Sequence, residues 1–128
     1  MTENEIGERV IGAAMKVHSA LGPGLLESAY EVCLAHELDS AGLSVRRQVA
    51  LPIVYGDLRL DAGYRLDLLV NGLVVVELKA VEKVTDVHRA QLLSYLKLGR
   101  FKLGYVMNFN VVRSVSYTHL TLPTNREV

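Results

Sequence analysis

The chain has 128 residues, half of them hydrophobic, and this length and hydrophobic content fit one folded domain rather than a disordered chain. The formal net charge is zero, but residues 1–40 carry seven acidic and two basic side chains, whereas residues 41–128 carry seven acidic and twelve basic ones. The basic half is compatible with a polyanionic partner but does not by itself identify one.

Cysteine content and hydrophobic runs exclude several kinds of site and location. Cys33 is the single cysteine, so neither an internal disulfide nor a cysteine-based zinc site is expected. No apolar run reaches about 18 residues, so no membrane span is expected. The acidic, helical N-terminus does not resemble a signal peptide. The sequence therefore predicts a soluble, cytoplasmic protein.

The first third of the chain predicts two helices. Apolar residues recur at helical spacing at Ile6, Val10, Ala14, Val17 and Leu21. This pattern predicts an amphipathic helix over residues 3–21, which Gly22-Pro23-Gly24 ends. A second helix is expected to begin there, with Pro23 near its first turn, and to end at about Ser40.

Three extended segments follow, at residues 45–55, 58–69 and 73–80, with turns at residues 55–57 and at Asn71-Gly72. Thr85 or Asp86 is expected to cap a third helix over residues 86–99. Residues 101–109 predict a buried strand, and residues 111–115 predict a short last strand. The order α-α-β-β-β-α-β-β predicts a small α/β domain with a mixed sheet flanked by helices.

The C-terminal segment differs from the rest of the chain. Residues 116–128 have no clear periodicity and are interrupted by Pro123. They resemble translated sequencing-adapter or vector sequence joined to a truncated gene. We therefore expect a domain over residues 1–115 and a foreign tail over residues 116–128, and His119 of this tail is not a site candidate.

Three charged residues, Asp67, Glu77 and Lys79, lie in the apolar hairpin RLDLLVNGLVVVELKA. Burying such groups costs several kcal/mol unless they are paired or bound to metal. Glu77 and Lys79 share a face because they are two residues apart on a strand. Two carboxylates and the carbonyl of Leu78 are suitable Mg²⁺ ligands, and Lys79 can then orient or deprotonate water or stabilise negative charge. A structural ion pair at a sheet edge is the alternative for this pattern.

The turn at Asn71-Gly72 decides whether Asp67 belongs to this group. A two-residue turn pairs residues 70 and 73 and places Asp67 opposite residue 76, on the wrong face. A three-residue loop over residues 70–72 pairs 69 with 73 and places Asp67 opposite residue 75, diagonal to Glu77 on one face. A bulge or bend near Asp67 has the same effect. The metal hypothesis requires one of these irregularities.

Two helical stripes supply further polar groups. The first, in the second helix, consists of Gly24, Glu27 and Tyr30. The glycine there is expected to allow close approach of the backbone. The second, in the third helix, consists of His88, Gln91 and Tyr95. The alternative for the first stripe is a solvated Glu beside a half-buried Tyr, and the alternative for the second is an ordinary solvent-exposed face.

The motifs together resemble a known family. GLLESAY at residues 24–30 resembles the motif of the GxxExxY proteins, a bacterial and archaeal group within the PD-(D/E)XK nuclease superfamily. The resemblance runs from about Ile6 to Phe109 and includes, in order, VHSALGPGLLESAY, GYRLDLLV, VVVELKAV, HRAQLLSYLKL and Asn108-Phe109. It implies a restriction-endonuclease-like αβββαβ core preceded by an extra N-terminal helix. This chain departs from the family pattern at the last strand, where the expected foreign segment begins after about Val115.

The resemblance implies metal-binding and catalytic roles for the matching residues. Asp67 and Glu77 match the metal-binding acids, and Lys79 matches the catalytic lysine. Glu27 resembles the helix-borne acid that often completes the metal site in this superfamily. The carbonyl of Leu78 completes the expected ligand set.

Two further pairs of residues match family positions. Gln91 and Tyr95 match the Q-x-x-x-Y pattern of RecB-like nucleases, where they would position water or phosphate. His18 and His88 match positions without an assigned role, and His88 is the better site candidate.

The resemblance thus implies a nuclease that depends on Mg²⁺ or Mn²⁺ and hydrolyses phosphodiester bonds, with DNA more expected than RNA. One alternative is a non-catalytic nucleic-acid-binding module that retains the fold. Another is a regulatory subunit that forms a homodimer through its apolar surface. The chain has few aromatic residues and no Trp, so no base-stacking surface is predicted.

Overall fold

The computed structural model describes residues 1–122. Its elements are α1 (Glu3–Leu21), α2 (Glu27–Ser40), β1 (Val45–Ala50), β2 (Ile53–Tyr55), β3 (Leu58–Leu60), β4 (Arg65–Val70), β5 (Val74–Lys79), α3 (Asp86–Gly99), β6 (Leu103–Asn108) and β7 (Ser116–Thr121). One mixed sheet has the order β1-β4-β5-β6-β7, with β5 and β6 parallel and the other neighbours antiparallel. The predicted mixed sheet flanked by helices is confirmed.

Reciprocal caps explain where α1 and α3 begin. The Thr2 side chain accepts a hydrogen bond from the Glu5 N–H, and the Glu5 carboxylate accepts one from the Thr2 N–H. Thr85 and His88 make the same exchange at α3, which confirms the predicted cap. Within residues 1–122, no helix combines the length and the apolar character that crossing a membrane requires.

The core has two layers, one on each face of the sheet. The layer beneath α1 and α2 includes Ile6, Val10, Leu34, Leu38, Leu68, Val76, Leu78 and Met107. The layer beneath α3 includes Leu66, Leu69, Val75, Leu92, Tyr95, Leu96 and Val106. Strand β5 contributes to both layers, which is why it is almost continuously apolar and why a charge within it needs a partner.

Two of the predicted long strands are each divided in two. Residues 45–55 form β1 and β2, and residues 58–69 form β3 and β4. Pro52 interrupts the first because it has no N–H to donate to a neighbouring strand. Gly63, with a φ of +82°, lies in the interruption of the second. Strands β2 and β3 form a separate hairpin whose side chains are mostly exposed.

The last strand lies further along the chain than predicted. Residues 111–115 form no strand, and β7 instead spans Ser116–Thr121, within the segment predicted to be foreign. It pairs with β6, with Tyr105 opposite His119. A segment without clear periodicity can still form an edge strand because backbone hydrogen bonds to β6 hold it. The foreign origin of residues 116–128 and the domain boundary at residue 115 stay predictions, and residues 123–128 lie outside the described part.

Candidate active site

The turn between β4 and β5 sets the face on which Asp67 lies. Val70 pairs with Val74, which leaves the three-residue turn Asn71-Gly72-Leu73. The first two turn residues have φ values of +52° and +67°. Asn and Gly adopt this left-handed conformation more readily than other residues. Continued past the last paired residues of β4, this register brings Asp67 opposite Glu77.

The turn is therefore not a plain two-residue hairpin, and the predicted irregularity is confirmed. The register differs from that of a three-residue loop over residues 70–72, since Leu69 lies opposite Val75 and not opposite Leu73. The loop is one residue further along than expected. As a result, the continued register brings Asp67 across from Glu77 rather than diagonal to it, and the Asp67 N–H donates a hydrogen bond to the Glu77 carboxylate.

The carboxylates of Asp67 and Glu77 occupy the place where the β4–β5 ladder ends. The Asp67 N–H donates to Glu77 Oε2 at 2.9 Å, and the Leu78 N–H donates to Asp67 Oδ2 at 2.9 Å. Glu77 is only 5% exposed. Burial, and after it the negative charge of Asp67, raises the pKa of Glu77 to about 8. Two acids thus share a position where ionising both is costly.

The backbone of Leu78 faces the same side as these carboxylates. The Lys79 carbonyl accepts a hydrogen bond from the Phe109 N–H at 2.9 Å, towards β6. Successive residues of a strand direct their backbone groups to opposite edges, so Leu78 directs its N–H and its carbonyl towards β4. The hydrogen bond from the Leu78 N–H to Asp67 agrees with this direction. The predicted carbonyl ligand therefore points to the side of the acids.

Lys79 lies on the face of the sheet covered by α3. Its Nζ donates to Gln91 Oε1 at 3.5 Å. Tyr95 lies one turn further along α3 and is 7% exposed. Burial, and after it the negative charge of Glu77, raises the pKa of Tyr95, so its hydroxyl stays protonated at neutral pH and can donate a hydrogen bond. The structure thus brings Lys79, Gln91 and Tyr95 together beside Glu77.

The loop between α1 and α2 is closed by Tyr30. Its hydroxyl donates to the Gly22 carbonyl at 2.6 Å and accepts from the Leu25 N–H at 3.1 Å, and its ring stacks on Phe109 with centroids 4.6 Å apart. Gly24 lies in this loop with a φ of +96° and not in the helix. A Cβ there would meet no atom within 4 Å, so the predicted reason of close approach is wrong, and the positive φ accounts for the glycine.

This loop places Glu27 beside the end of β5. Helix α2 begins at Glu27 and not near Pro23, because residues 22–26 are held in the loop. The Ala80 N–H donates to Glu27 Oε2 at 3.3 Å. Within residues 1–122, no three His, Cys, Asp or Glu side chains converge closely enough to hold a metal ion. The role of Glu27 as a third carboxylate ligand stays a prediction.

Comparison with protein families agrees with this arrangement. The model of the PD-(D/E)XK nuclease superfamily matches residues 4–119. The chain belongs to the PD-(D/E)XK nuclease superfamily. Its α/β fold is the restriction-endonuclease-like one, and members of the superfamily are generally nucleases. The likeness to the GxxExxY group stays a resemblance. Searches of curated proteins and of solved structures gave no match.

His18 and His88, which the resemblance singled out, have structural partners. His18 is 3% exposed, and its Nε2 donates to the Val111 carbonyl oxygen at 2.8 Å. It therefore ties α1 to the segment after β6. His88 accepts the Thr85 N–H at Nδ1 and caps α3. Neither contact involves the two acids.

Glu31 and its partners were not predicted from the sequence. Glu31 lies one helical turn after Glu27 and is 6% exposed. Its Oε2 accepts a hydrogen bond from Arg47 Nε at 3.1 Å and forms a salt bridge with Arg47 Nη2 at 3.0 Å, and its Oε1 accepts a hydrogen bond from Gln48 Nε2 at 2.7 Å. The i, i+4 spacing of the two acids was a signal for Glu31, since it places both on one face of the helix.

Gln48 links this cluster to Asp67. Its Nε2 also lies 3.4 Å from Asp67 Oδ1, and its φ is +53°. Gln48 is unpaired in the register between β1 and β4, although both of its neighbours pair. Leu66 packs beneath α3 whereas Leu68 packs on the other face, so β4 is irregular at Asp67 as well. No sequence signal marks this conformation of a glutamine.

Proposed function

We propose that this chain is a nuclease that depends on Mg²⁺ or Mn²⁺ and hydrolyses the phosphodiester bonds of DNA. The meeting of the Asp67 and Glu77 carboxylates, with Lys79 two residues further along β5, carries this proposal. The alternative of a structural ion pair requires Lys79 to bind one of the acids. Its Nζ instead donates to the amide oxygen of Gln91.

The residues at this position fit a hard divalent cation. Asp67 and Glu77 offer carboxylate oxygens, and the carbonyl of Leu78 faces the same side. The pKa of Glu77, raised to about 8, reflects desolvation and repulsion that a cation relieves. A divalent cation bound there supplies polarisation of the phosphate and lowers the pKa of water.

The surrounding side chains would act on the phosphate and on the attacking water. The ammonium of Lys79 is placed to stabilise the negative charge that develops on the phosphate oxygens. Gln91 holds that ammonium through its Oε1. Tyr95 keeps its proton and would donate it in a hydrogen bond to a phosphate oxygen.

A cleavage assay tests this proposal. Single- and double-stranded DNA and RNA are incubated with Mg²⁺ or Mn²⁺ and with the wild type, Asp67→Ala or Lys79→Ala. We expect each substitution to lower the cleavage rate by about 100-fold or more. Asp61→Ala and Lys83→Ala are matched controls, because they remove exposed residues of the same types outside the site, and they should cleave like the wild type.

Three outcomes would contradict the proposal in different ways. Cleavage that persists in both Asp67→Ala and Lys79→Ala comes from a contaminating nuclease and rejects it. Metal-dependent binding without cleavage favours a non-catalytic binding module instead. Faster cleavage of RNA than of DNA overturns the assignment of DNA as substrate.

A further inference from the structure

An open pocket of about 600 Å³ lies beside the candidate active site. It is lined by Ile53, Tyr64, Gln91, Ser94, Tyr95, Lys97 and Leu98. Gln91 belongs to the pocket and also contacts Lys79, so the pocket and the site are continuous. The volume is within the range of small-molecule binding pockets. A nucleotide whose phosphate lies at Glu77 therefore has its neighbouring nucleoside within reach of this pocket.

The walls of the pocket combine an aromatic surface with a polar rim. Tyr64 is 43% exposed, and its ring meets that of Tyr95 edge-on, with centroids 6.2 Å apart and planes at 61°. An exposed ring supported by a second ring is a surface on which another planar group can stack. Ser94 adds a hydroxyl and Lys97 a positive charge. This combination suits a nucleobase and its phosphate better than an aliphatic ligand.

The position of Tyr64 leaves its side chain available for a ligand. It lies between β3 and β4, where its carbonyl accepts a hydrogen bond from the Leu51 N–H at 2.9 Å. The backbone of this residue therefore holds the loop, while its ring remains partly exposed. Replacing the ring should leave the fold intact.

We propose that this pocket binds one unpaired nucleobase of the substrate, stacked against Tyr64 beside the scissile phosphate. A base within a duplex is covered by its neighbours and is paired at its edge, so it enters such a pocket only after unstacking. The assignment rests on the proposed nuclease function and names single-stranded nucleic acid, or an unpaired duplex end, as its substrate class. It replaces the expectation that no stacking surface is present.

A binding experiment that does not depend on cleavage tests this assignment. Fluorescence anisotropy measures the Kd for oligothymidylate, for an abasic oligomer of the same length and for a blunt duplex, with Ca²⁺ in place of Mg²⁺. We expect Tyr64→Leu to weaken oligothymidylate binding about 5- to 100-fold, and to leave binding of the abasic oligomer and the duplex unchanged. Tyr64→Phe should bind like the wild type because it keeps the ring.

Tyr55→Leu is the matched control, since Tyr55 is 80% exposed on the β2–β3 hairpin, outside the pocket. The assignment is overturned by an equal loss in Tyr55→Leu, by an equal loss for the abasic oligomer in Tyr64→Leu, or by wild-type binding that does not distinguish thymidylate from abasic DNA.

The cleavage readout separates this assignment from the proposed function. Base-dependent binding through Tyr64 without cleavage in Mg²⁺ or Mn²⁺ rejects the nuclease and supports the pocket. Internal cleavage of intact duplex at the same rate in the wild type and in Tyr64→Leu rejects the pocket and leaves the nuclease in place.

Discussion

Two buried glutamates near Asp67 have opposite surroundings. Glu31 is 6% exposed and accepts hydrogen bonds from Arg47 and Gln48. Glu77 is 5% exposed and faces the Asp67 carboxylate, with a pKa raised to about 8. The two side chains are buried to the same extent. The guanidinium of Arg47 balances the charge of Glu31, whereas the carboxylate of Asp67 repels that of Glu77. A buried acid with a basic partner supports the fold, whereas two apposed acids repel each other, and this repulsion is the basis on which we propose a cation there.

The largest expected contrast is in cleavage. Glu77→Gln keeps the size of the side chain and an oxygen acceptor but removes the negative charge, so we expect cleavage to fall by about 100-fold or more. Glu31→Gln should retain most of the wild-type rate, because Glu31 contacts Arg47 and Gln48 and would not touch the phosphate. Single-turnover cleavage rates at saturating Mg²⁺ measure both variants. An equal loss in the two variants would remove the distinction between them.

The pH dependence of stability sharpens the same contrast. Glu77 ionises near pH 4.5 in the unfolded chain and near pH 8 in the folded one. The folded state therefore binds more protons between these values. The stability that protonated Glu77 contributes to the fold is complete below about pH 4.5. It is lost as the pH rises to about 8, by at most about 1.4 kcal/mol per pH unit.

The measurement is urea unfolding in EDTA at pH 6, 7 and 8. The stability of the wild type should fall with pH relative to Glu77→Gln, which has no acid at this position. Mg²⁺ affinity should rise over the same interval, because the proton must leave before the cation binds. Parallel curves for the two proteins would show that Glu77 is ionised throughout.

Glu31, the buried acid with a basic partner, should contribute to the free energy of unfolding. Glu31→Ala removes the acceptor for Arg47 and Gln48, which we expect to cost about 1–3 kcal/mol of unfolding free energy. The lower end applies because the Arg47 side chain is 46% exposed. Urea unfolding measures the loss. Glu37→Ala is the control, since its partner Lys16 is 72% exposed and this pair should contribute less than about 1 kcal/mol; an equal loss would mean that Glu31 is only a surface charge.

The smallest effect is expected at Gln48, which connects the two acids. Gln48→Gly relieves the cost of a φ of +53°, about 1 kcal/mol, but removes a hydrogen bond of similar value to Glu31. Stability should therefore change little. Mg²⁺ binding measured by calorimetry should weaken by about 10-fold, the low end for the loss of a ligand's hydrogen-bond partner, because the contact of Asp67 with the amide is long at 3.4 Å. A large loss of stability with unchanged Mg²⁺ affinity would place Gln48 in the fold alone.

Local patterns in the sequence predicted much of the fold. Helices α1 and α3 have the expected bounds because apolar spacing and capping residues act within a few positions of each other. The shared face of Asp67 and Glu77 was a requirement of the metal hypothesis and did not follow from the turn residues, since Asn-Gly with positive φ also suits a two-residue turn.

The features that were missed depend on distant partners. Strand β7 is held by its backbone pairing with β6, which apolar periodicity does not record. The left-handed backbone of Gln48 and the pairing of Arg47 with Glu31 depend on how α2 lies against β1. The pocket beside Tyr64 forms only when the loop before β4 meets α3. The spacing of apolar residues along one helix or strand does not show which other helices, strands or loops it will contact.

The turn Asn71-Gly72-Leu73 connects β4, which contains Asp67, to β5, which contains Glu77, through three residues. A two-residue turn that pairs Val70 with Leu73 would instead place Asp67 opposite Val76, while both strands could still pair. A shift of the pairing by one residue could therefore silence the candidate site without unfolding the domain. Relatives whose turn residues set that other register would then be the first place to look for members of the superfamily that keep the architecture and have lost the chemistry.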